Sequence, residues 1–184
     1  FVVNIPNEGL IGLQVYNEPG RISPEGYKEL VPISRYADVK ANLNNVVDSM
    51  RAAGTTYSKN AMDFAKQKLL EAKVKFPDHK LNLVFISDGV PETRASNGAC
   101  GKRCFAQEQN PESVAAEIKN EGIKIFTIAY LDDDDQNLRI ELQAMMQNVA
   151  SSPQDFFIAP DSNQIEGILA QILQKFCEGQ AQNQ

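Results

Sequence analysis

Histidine is almost missing from this chain: His79 is the only one in 184 residues. It lies in Pro77-Asp78-His79-Lys80, ahead of the apolar run that ends at Asp88, and so belongs at the opposite end of any strand formed there. It reads as a solvated turn residue. Without a histidine near a site, serine and cysteine nucleophiles lack their usual base. The motifs of catalysis on α/β folds are missing too: no G-x-G-x-x-G, no G-x-x-x-x-G-K-[ST] and no G-x-S-x-G. The expectation is a protein that is not an enzyme. Basic residues are also in deficit, 18 Lys and Arg against 24 Asp and Glu, giving a formal net charge of −6. They are spread along the chain, so the basic stripe of a nucleic-acid surface is absent. No apolar run approaches the roughly 20 residues of a membrane helix, which excludes membrane insertion of this segment.

Cysteine is scarce as well. Cys100 and Cys104 share the loop Asn97-Gly98-Ala99-Cys100-Gly101-Lys102-Arg103-Cys104, and Cys177 stands alone. A C-x₃-C pair with no second pair and no nearby histidine is a poor zinc site. A short-range disulfide or two free thiols remain. Cys177 follows Ile168, Leu169, Ile172, Leu173 and Phe176 at helical spacing and reads as a small core residue.

What is present is an ordinary globular composition, 42% hydrophobic and 23% charged, in a length suited to one domain. Strand-like and helical patterns alternate. Leu10 to Tyr16 reads as a strand. Tyr27 to Ile33 reads as another, placed on an edge because it holds Pro32. Val39, Leu43, Val46, Val47 and Met50 recur at helical spacing, as do Ala61, Phe64, Ala65, Lys68 and Leu69. Leu81 to Asp88 is nearly continuous in apolar residues, as a strand covered on both faces requires. Pro111 opens a helix that Gly122 closes, and Ile123 to Tyr130 is a second buried strand. A helix through Leu138, Leu142, Met145 and Met146 follows, then a short strand at Phe156-Phe157-Ile158 and a helix capped by Asp161-Ser162. Helices between strands predict an α/β fold: one doubly wound, mostly parallel sheet, helices on both faces, and one antiparallel edge strand. Residues 1–177 make the domain and 178–184 a polar tail. The opening Phe1-Val2-Val3 reads as the end of an element, so the chain is expected to be cut.

Ligands of open α/β sheets bind beyond the carboxyl ends of the strands, where Asp88 is expected with Ser87 beside it. Gly54-Thr55-Thr56-Tyr57-Ser58 places hydroxyls at a helix N-terminus. Hydroxyl, carboxylate and water together suit a hard divalent cation. The competing reading makes Thr55 or Thr56 a helix cap and Asp88-Gly89 a turn.

The order and spacing of several segments resemble the von Willebrand factor type A domain, the integrin I-like fold. They are Val31-Pro32-Ile33, Ala53-Gly54-Thr55-Thr56 with Ala61 beyond, Ile86-Ser87-Asp88-Gly89, Gly122 to Ile128, and Ala150-Ser151-Ser152-Pro153 with Phe156-Phe157 and Ala159. The resemblance implies Mg²⁺ (or Mn²⁺ or Ca²⁺) at a metal ion-dependent adhesion site (MIDAS), completed by an acidic group of a protein partner. By motif position Thr56 is the metal-contacting threonine, Thr55 its off-by-one alternative, and Asp88 a carboxylate acting through water. Ser87, Asp132 and Asp133 would sit on the same rim, although Asp132 to Asp135 also read as a solvated helix N-terminus. The cysteine loop follows Asp88 onto that rim while Cys177 falls at the opposite pole, so Cys100–Cys104 is the expected disulfide.

The family's D-x-S-x-S strand has no counterpart in these 184 residues. The resemblance implies that this strand lies between those ending at Tyr16 and Ser87, supplied by the parent protein or another chain, and that the site here is incomplete. The implied function is a non-enzymatic adhesion or protein-interaction module of a bacterial surface or pilus protein. It would be secreted or at the cell surface and meet a matrix or host surface protein. The alternative is an intracellular scaffold working with an ATPase complex, and a hydrolase ranks third. A stable Cys100–Cys104 disulfide separates the first two, because it needs an oxidising compartment.

Overall fold

The computed structural model describes residues 5–50, 55–93, 104–131 and 135–181. Strand β1 (Leu10–Tyr16) pairs antiparallel with β2 (Tyr27–Arg35), and helix α1 (Tyr36–Asp48) follows directly. Helix α2 (Ser58–Lys75) leads into β3 (Asn82–Ser87). A two-residue pair, β4 (Glu92–Thr93) with β5 (Cys104–Phe105), and a 3₁₀ turn at Gln107–Gln109 precede helix α3 (Glu112–Asn120). Strand β6 (Lys124–Tyr130), helix α4 (Gln136–Val149), strand β7 (Phe156–Ala159) and helix α5 (Ser162–Ala181) complete the order. The last helix enters the stretch expected to be a polar tail. Among the described residues no helix is long and apolar enough to cross a membrane.

The architecture is mixed α/β, as the alternation predicts. A parallel sheet of order β3-β6-β7 is flanked by helices, and the β1-β2 pair stands apart from it. The expected single sheet is thus divided: among the described residues β1 pairs only with β2, and β3 only with β6. Pro32 falls on β2, an edge strand where its missing N–H costs nothing.

Alternation along the parallel strands sorts their side chains into two cores. On one face Phe85, Ile125 and Ala129 pack with Met62 and Leu69 of α2, Val114 and Ile118 of α3, and Leu142 and Met146 of α4. Tyr16 of β1 and Ile33 of β2 join this same cluster, so it runs beneath both sheets. On the other face Phe126, Ile128 and Ala159 pack under Ile168, Leu169 and Ile172 of α5. A separate cluster there, Val31 with Leu43, gathers Ile5, Ile11, Leu13, Val39 and Val46 under α1.

Caps fix the element boundaries. The Asp135 carboxylate accepts from the N–H groups of Asn137 and Leu138 and starts α4, and the Asp161 carboxylate accepts from the Asn163 N–H to start α5. Gly122, at φ 76, ends the turn after α3 in the left-handed region that glycine adopts without strain. At the pole where β6 begins, the buried Asp155 carboxylate accepts from the Ser152 hydroxyl at 2.6 Å. Lys124 and Lys175 reach it at 2.9 and 3.6 Å, tying α5 to the sheet. His79 sits near this end too, in the turn after α2, its ring edge-on to Phe76.

Candidate functional site

The carboxyl ends of β1 and β3 and the N-terminus of α2 meet at the opposite rim. Three tethers hold them. The Gln14 side-chain amide donates to the Ala61 carbonyl at 2.9 Å, fixing β1 to α2. Buried Ser58 donates to the Gln109 carbonyl at 3.1 Å, fixing the start of α2 to the 3₁₀ turn. Tyr16 stacks on Phe85 at 5.6 Å, and its hydroxyl donates to the Ile86 carbonyl at 3.0 Å.

This frame brings two of the sequence-predicted residues together. A Cβ placed on Gly89 would lie 3.5 Å from Thr56 Oγ1, so the Thr56 hydroxyl faces the Asp88-Gly89 turn. Asp88 is exposed and points its charge to the rim. Ser87 is buried, and its hydroxyl closes the turn by donating to the Gly89 carbonyl at 2.7 Å. The alternative role for the threonines is corrected here: the N-cap of α2 is Tyr57, with no side-chain cap hydrogen bond. Neither Thr55 nor Thr56 caps the helix. Thr55 instead donates to Glu18 at 3.1 Å. Asp132, Asp133 and Cys100 lie outside the described residues, as does the side chain of Cys104.

Two rim residues were missed by the sequence reading. Glu18 accepts from Thr55 and lies 3.6 Å from Arg21. Its loop is closed by Ser23, which accepts from the N–H groups of Gly26 and Tyr27 and donates to the Tyr27 carbonyl. Gly26 is held at φ 84, where a Cβ would come within 2.7 Å of the Asn17 carbonyl oxygen. A usable signal for Glu18 existed, since it follows the end of β1 just as Asp88 follows β3. Tyr16 is the second. Its phenol is pushed above the ordinary tyrosine range, first by desolvation, with Ser87 acting in the lowering direction and the Asp88 charge in the raising one.

The donors at this rim are all oxygens, hydroxyl and carboxylate, which suits a hard divalent cation in kind. In number they fall short. The Thr55 and Ser87 hydroxyls are engaged within the chain, and among the described residues no three His, Cys, Asp or Glu side chains are grouped to hold a metal. Among the described residues, Thr56 and Asp88 offer oxygens of the kind such a cation would take.

The sequence model of the von Willebrand factor type A domain matches residues 11–171. No curated protein matches the chain. Among solved structures, the pilus adhesin SpaC of Lactobacillus rhamnosus GG, in its open conformation, superposes with a TM-score of 0.71 at 18% identity. That superposition covers 91% of this chain and 25% of SpaC, so the chain spans about a quarter of that relative's length. The von Willebrand domain of the type V pili tip protein Mfa5 of Porphyromonas gingivalis gives 0.61 at 13% identity, covering 92% of this chain and 80% of that one. Proximal thread matrix protein 1 of the mussel byssus, with a zinc-occupied MIDAS motif, gives 0.56 at 16% identity, covering 91% and 35%. At these identities the likeness to each structure is one of fold.

Proposed function

The chain belongs to the von Willebrand factor type A domain family, and from that premise we propose a non-enzymatic adhesion or protein-interaction module of a bacterial pilus or cell-surface protein. It captures an acidic group of an extracellular matrix or host surface protein through a divalent cation, Mg²⁺ by preference. The observation that carries this reading is the Thr56 hydroxyl facing the Asp88-Gly89 turn on an all-oxygen rim. Thr56 and Asp88 would hold the ion, Asp88 through water, with Thr55 and Ser87 beside them. Asp132 and Asp133 join that rim on sequence grounds. The cation supplies a positive charge with a coordination position open to the partner's carboxylate. The fold's resemblance to a pilus adhesin and a pilus tip protein supports the surface setting, where Cys100 and Cys104 would be oxidised.

The donor shortfall gives the proposal its second half. The remaining ligands come on a strand supplied by the parent protein or another chain, added to a domain that occupies residues 1–177 with 178–184 as its tail. The chain alone therefore binds Mg²⁺ only weakly. Mn²⁺ titration followed by NMR line broadening reports even a weak site. Broadening centred on Thr56, Asp88 and Gly89, and abolished by Asp88→Ala, is the expected result. Broadening centred elsewhere, or micromolar affinity of the isolated chain by calorimetry, overturns the assignment.

A further inference from the structure

The loop that follows β1 stands against α2 and leaves an open groove of about 410 Å³ between them. Two backbone bonds close the loop, from the Asn17 N–H to the Gly26 carbonyl at 2.6 Å and from the Gly20 N–H to the Ser23 carbonyl at 2.8 Å. It turns Pro19, Pro24 and Glu25 to the groove. Helix α2 supplies Asn60, Asp63 and Phe64, whose spacing puts them on one face. Tyr27 joins the two sides, its ring stacked on Phe64 with centroids 4.7 Å apart. The prolines add apolar walls without an N–H that would need a partner. The charged residues lining the groove, Glu25 and Asp63, are both acidic. Asp63 is already matched, by Lys59 and Lys66 at 3.2 Å each. Glu25 is exposed, and among the described residues no ion pair or hydrogen bond reaches its carboxylate. The Tyr27 hydroxyl and the Asn60 side-chain amide are likewise without a protein partner among the described residues.

We propose that this groove binds one arginine side chain of a partner polypeptide, its guanidinium forked onto Glu25 and laid against the Tyr27 ring. Arginine is the group whose chemistry matches. Its planar cation offers paired N–H donors to a carboxylate and stacks on aromatic rings. The Tyr27 hydroxyl and the Asn60 amide oxygen take further donors, and the apolar stem lies along the prolines. A lysine ammonium is compact and strongly hydrated, and makes poor use of such walls. An anionic ligand would meet Glu25 and Asp63. A sugar would need an open aromatic face, and the Phe64 ring is taken by Tyr27 and by the Lys68 ammonium, 5.4 Å from its centroid. Free arginine brings a carboxylate that the two acidic residues repel, so the occupant is arginine within a chain. The net charge of −6 draws such a basic segment in. The loop bonds hold the groove in shape before the ligand arrives, which lowers the ordering that binding requires. The groove makes no use of the rim cation and stands whether or not the rim holds one.

The test is run in EDTA, so that the cation site plays no part. The probe is a capped peptide of one arginine flanked on each side by glycines, titrated into the chain and followed by amide NMR shifts. Shifts should gather on Glu25, Gly26, Tyr27, Asn60 and Phe64 and saturate in the millimolar range, the scale of a single side chain. Glu25→Gln, at an exposed position outside the bonds that close the loop, should weaken binding about tenfold through the lost charge-assisted pair. Glu141→Gln, an exposed residue of α4, makes the same change in net charge and should leave the affinity as it was. The matching lysine peptide should bind several-fold more weakly, and a citrulline peptide, alike in shape but uncharged, should not bind. Shifts centred elsewhere, or equal affinity in Glu25→Gln, remove the site. An equal loss in Glu141→Gln, or lysine binding as tightly as arginine, reduces the effect to general charge attraction and overturns the proposal. Free arginine binding as tightly as the peptide assigns the groove to a small molecule, which overturns it too. Shifts of the same amides that grow with protein concentration and need no peptide assign the groove to a second copy and likewise overturn it.

Discussion

The two faces of the sheet are built differently. Under α2, α3 and α4 a single apolar cluster runs from Tyr16 and Ile33 of the antiparallel pair, through Phe85, to Ile125 and Ala129 of the parallel sheet. On the opposite face the same strands support two islands, one under α5 and one under α1. Between them lies Ile86, 39% exposed, on a strand that among the described residues pairs only with β6. Parallel sheets are stable when both faces are covered. The continuous face is what such a sheet needs, and among the described residues the divided face is thinnest beside β3, whose end carries Asp88.

The comparison breaks most easily at the α5 island. If the divided face were loose throughout, its buried residues would contribute little. Phe126 is 1% exposed, packs under α5, and meets Phe176 edge-on at 5.2 Å. Phe126→Ala should cost about 3–5 kcal/mol, the ordinary penalty for emptying a packed aromatic site. Urea unfolding of the isolated chain checks it, and a loss below about 1 kcal/mol would mean the island is not a core. A smaller effect is expected at the pole beneath that island. Asp155 is 1% exposed and bound by Ser152, Lys124 and Lys175, while the two lysines stay partly hydrated. Asp155→Ala should cost about 1–3 kcal/mol through the lost Ser152 hydrogen bond and the two lysine ion pairs, because the ammonium groups left behind can return to water. Hydrogen exchange should place the loss in α5 and the start of β6, leaving α3 unchanged.

Strands β3 and β6 show what an apolar signal makes legible and what it leaves out. Leu83-Val84-Phe85-Ile86 and Ile125-Phe126-Thr127-Ile128 carry the same apolar signal, and both predict strands buried on two sides. Only β6 is so buried in this chain. Apolarity records the environment a strand is suited to and not its pairing partners, and among the described residues the expected single sheet appears in separate pieces. Element order was legible because each segment carries its own period and caps, as Asp135, Asp161 and Gly122 show. The rim was legible in part. Thr56 and Asp88 stand in motifs, but Glu18 lies in the turn Asn17-Glu18-Pro19-Gly20 and meets Thr55 only through folding. Tyr16 reads as an ordinary strand residue, and nothing in its neighbours announces a bond to a carbonyl of β3. Spacing along a chain reports local geometry, and these contacts join positions far apart in sequence.

The smallest effect is the sharpest test of the divided face. In the isolated chain Ile86 already meets water, so Ile86→Thr, which keeps the β-branch that strands favour, should change stability by no more than about 0.5 kcal/mol. Urea unfolding of the chain with and without the substitution measures it. A penalty of about 2 kcal/mol or more would mean that the chain already buries Ile86 in solution, where an added hydroxyl would lack a partner, and that the divided face is closed there.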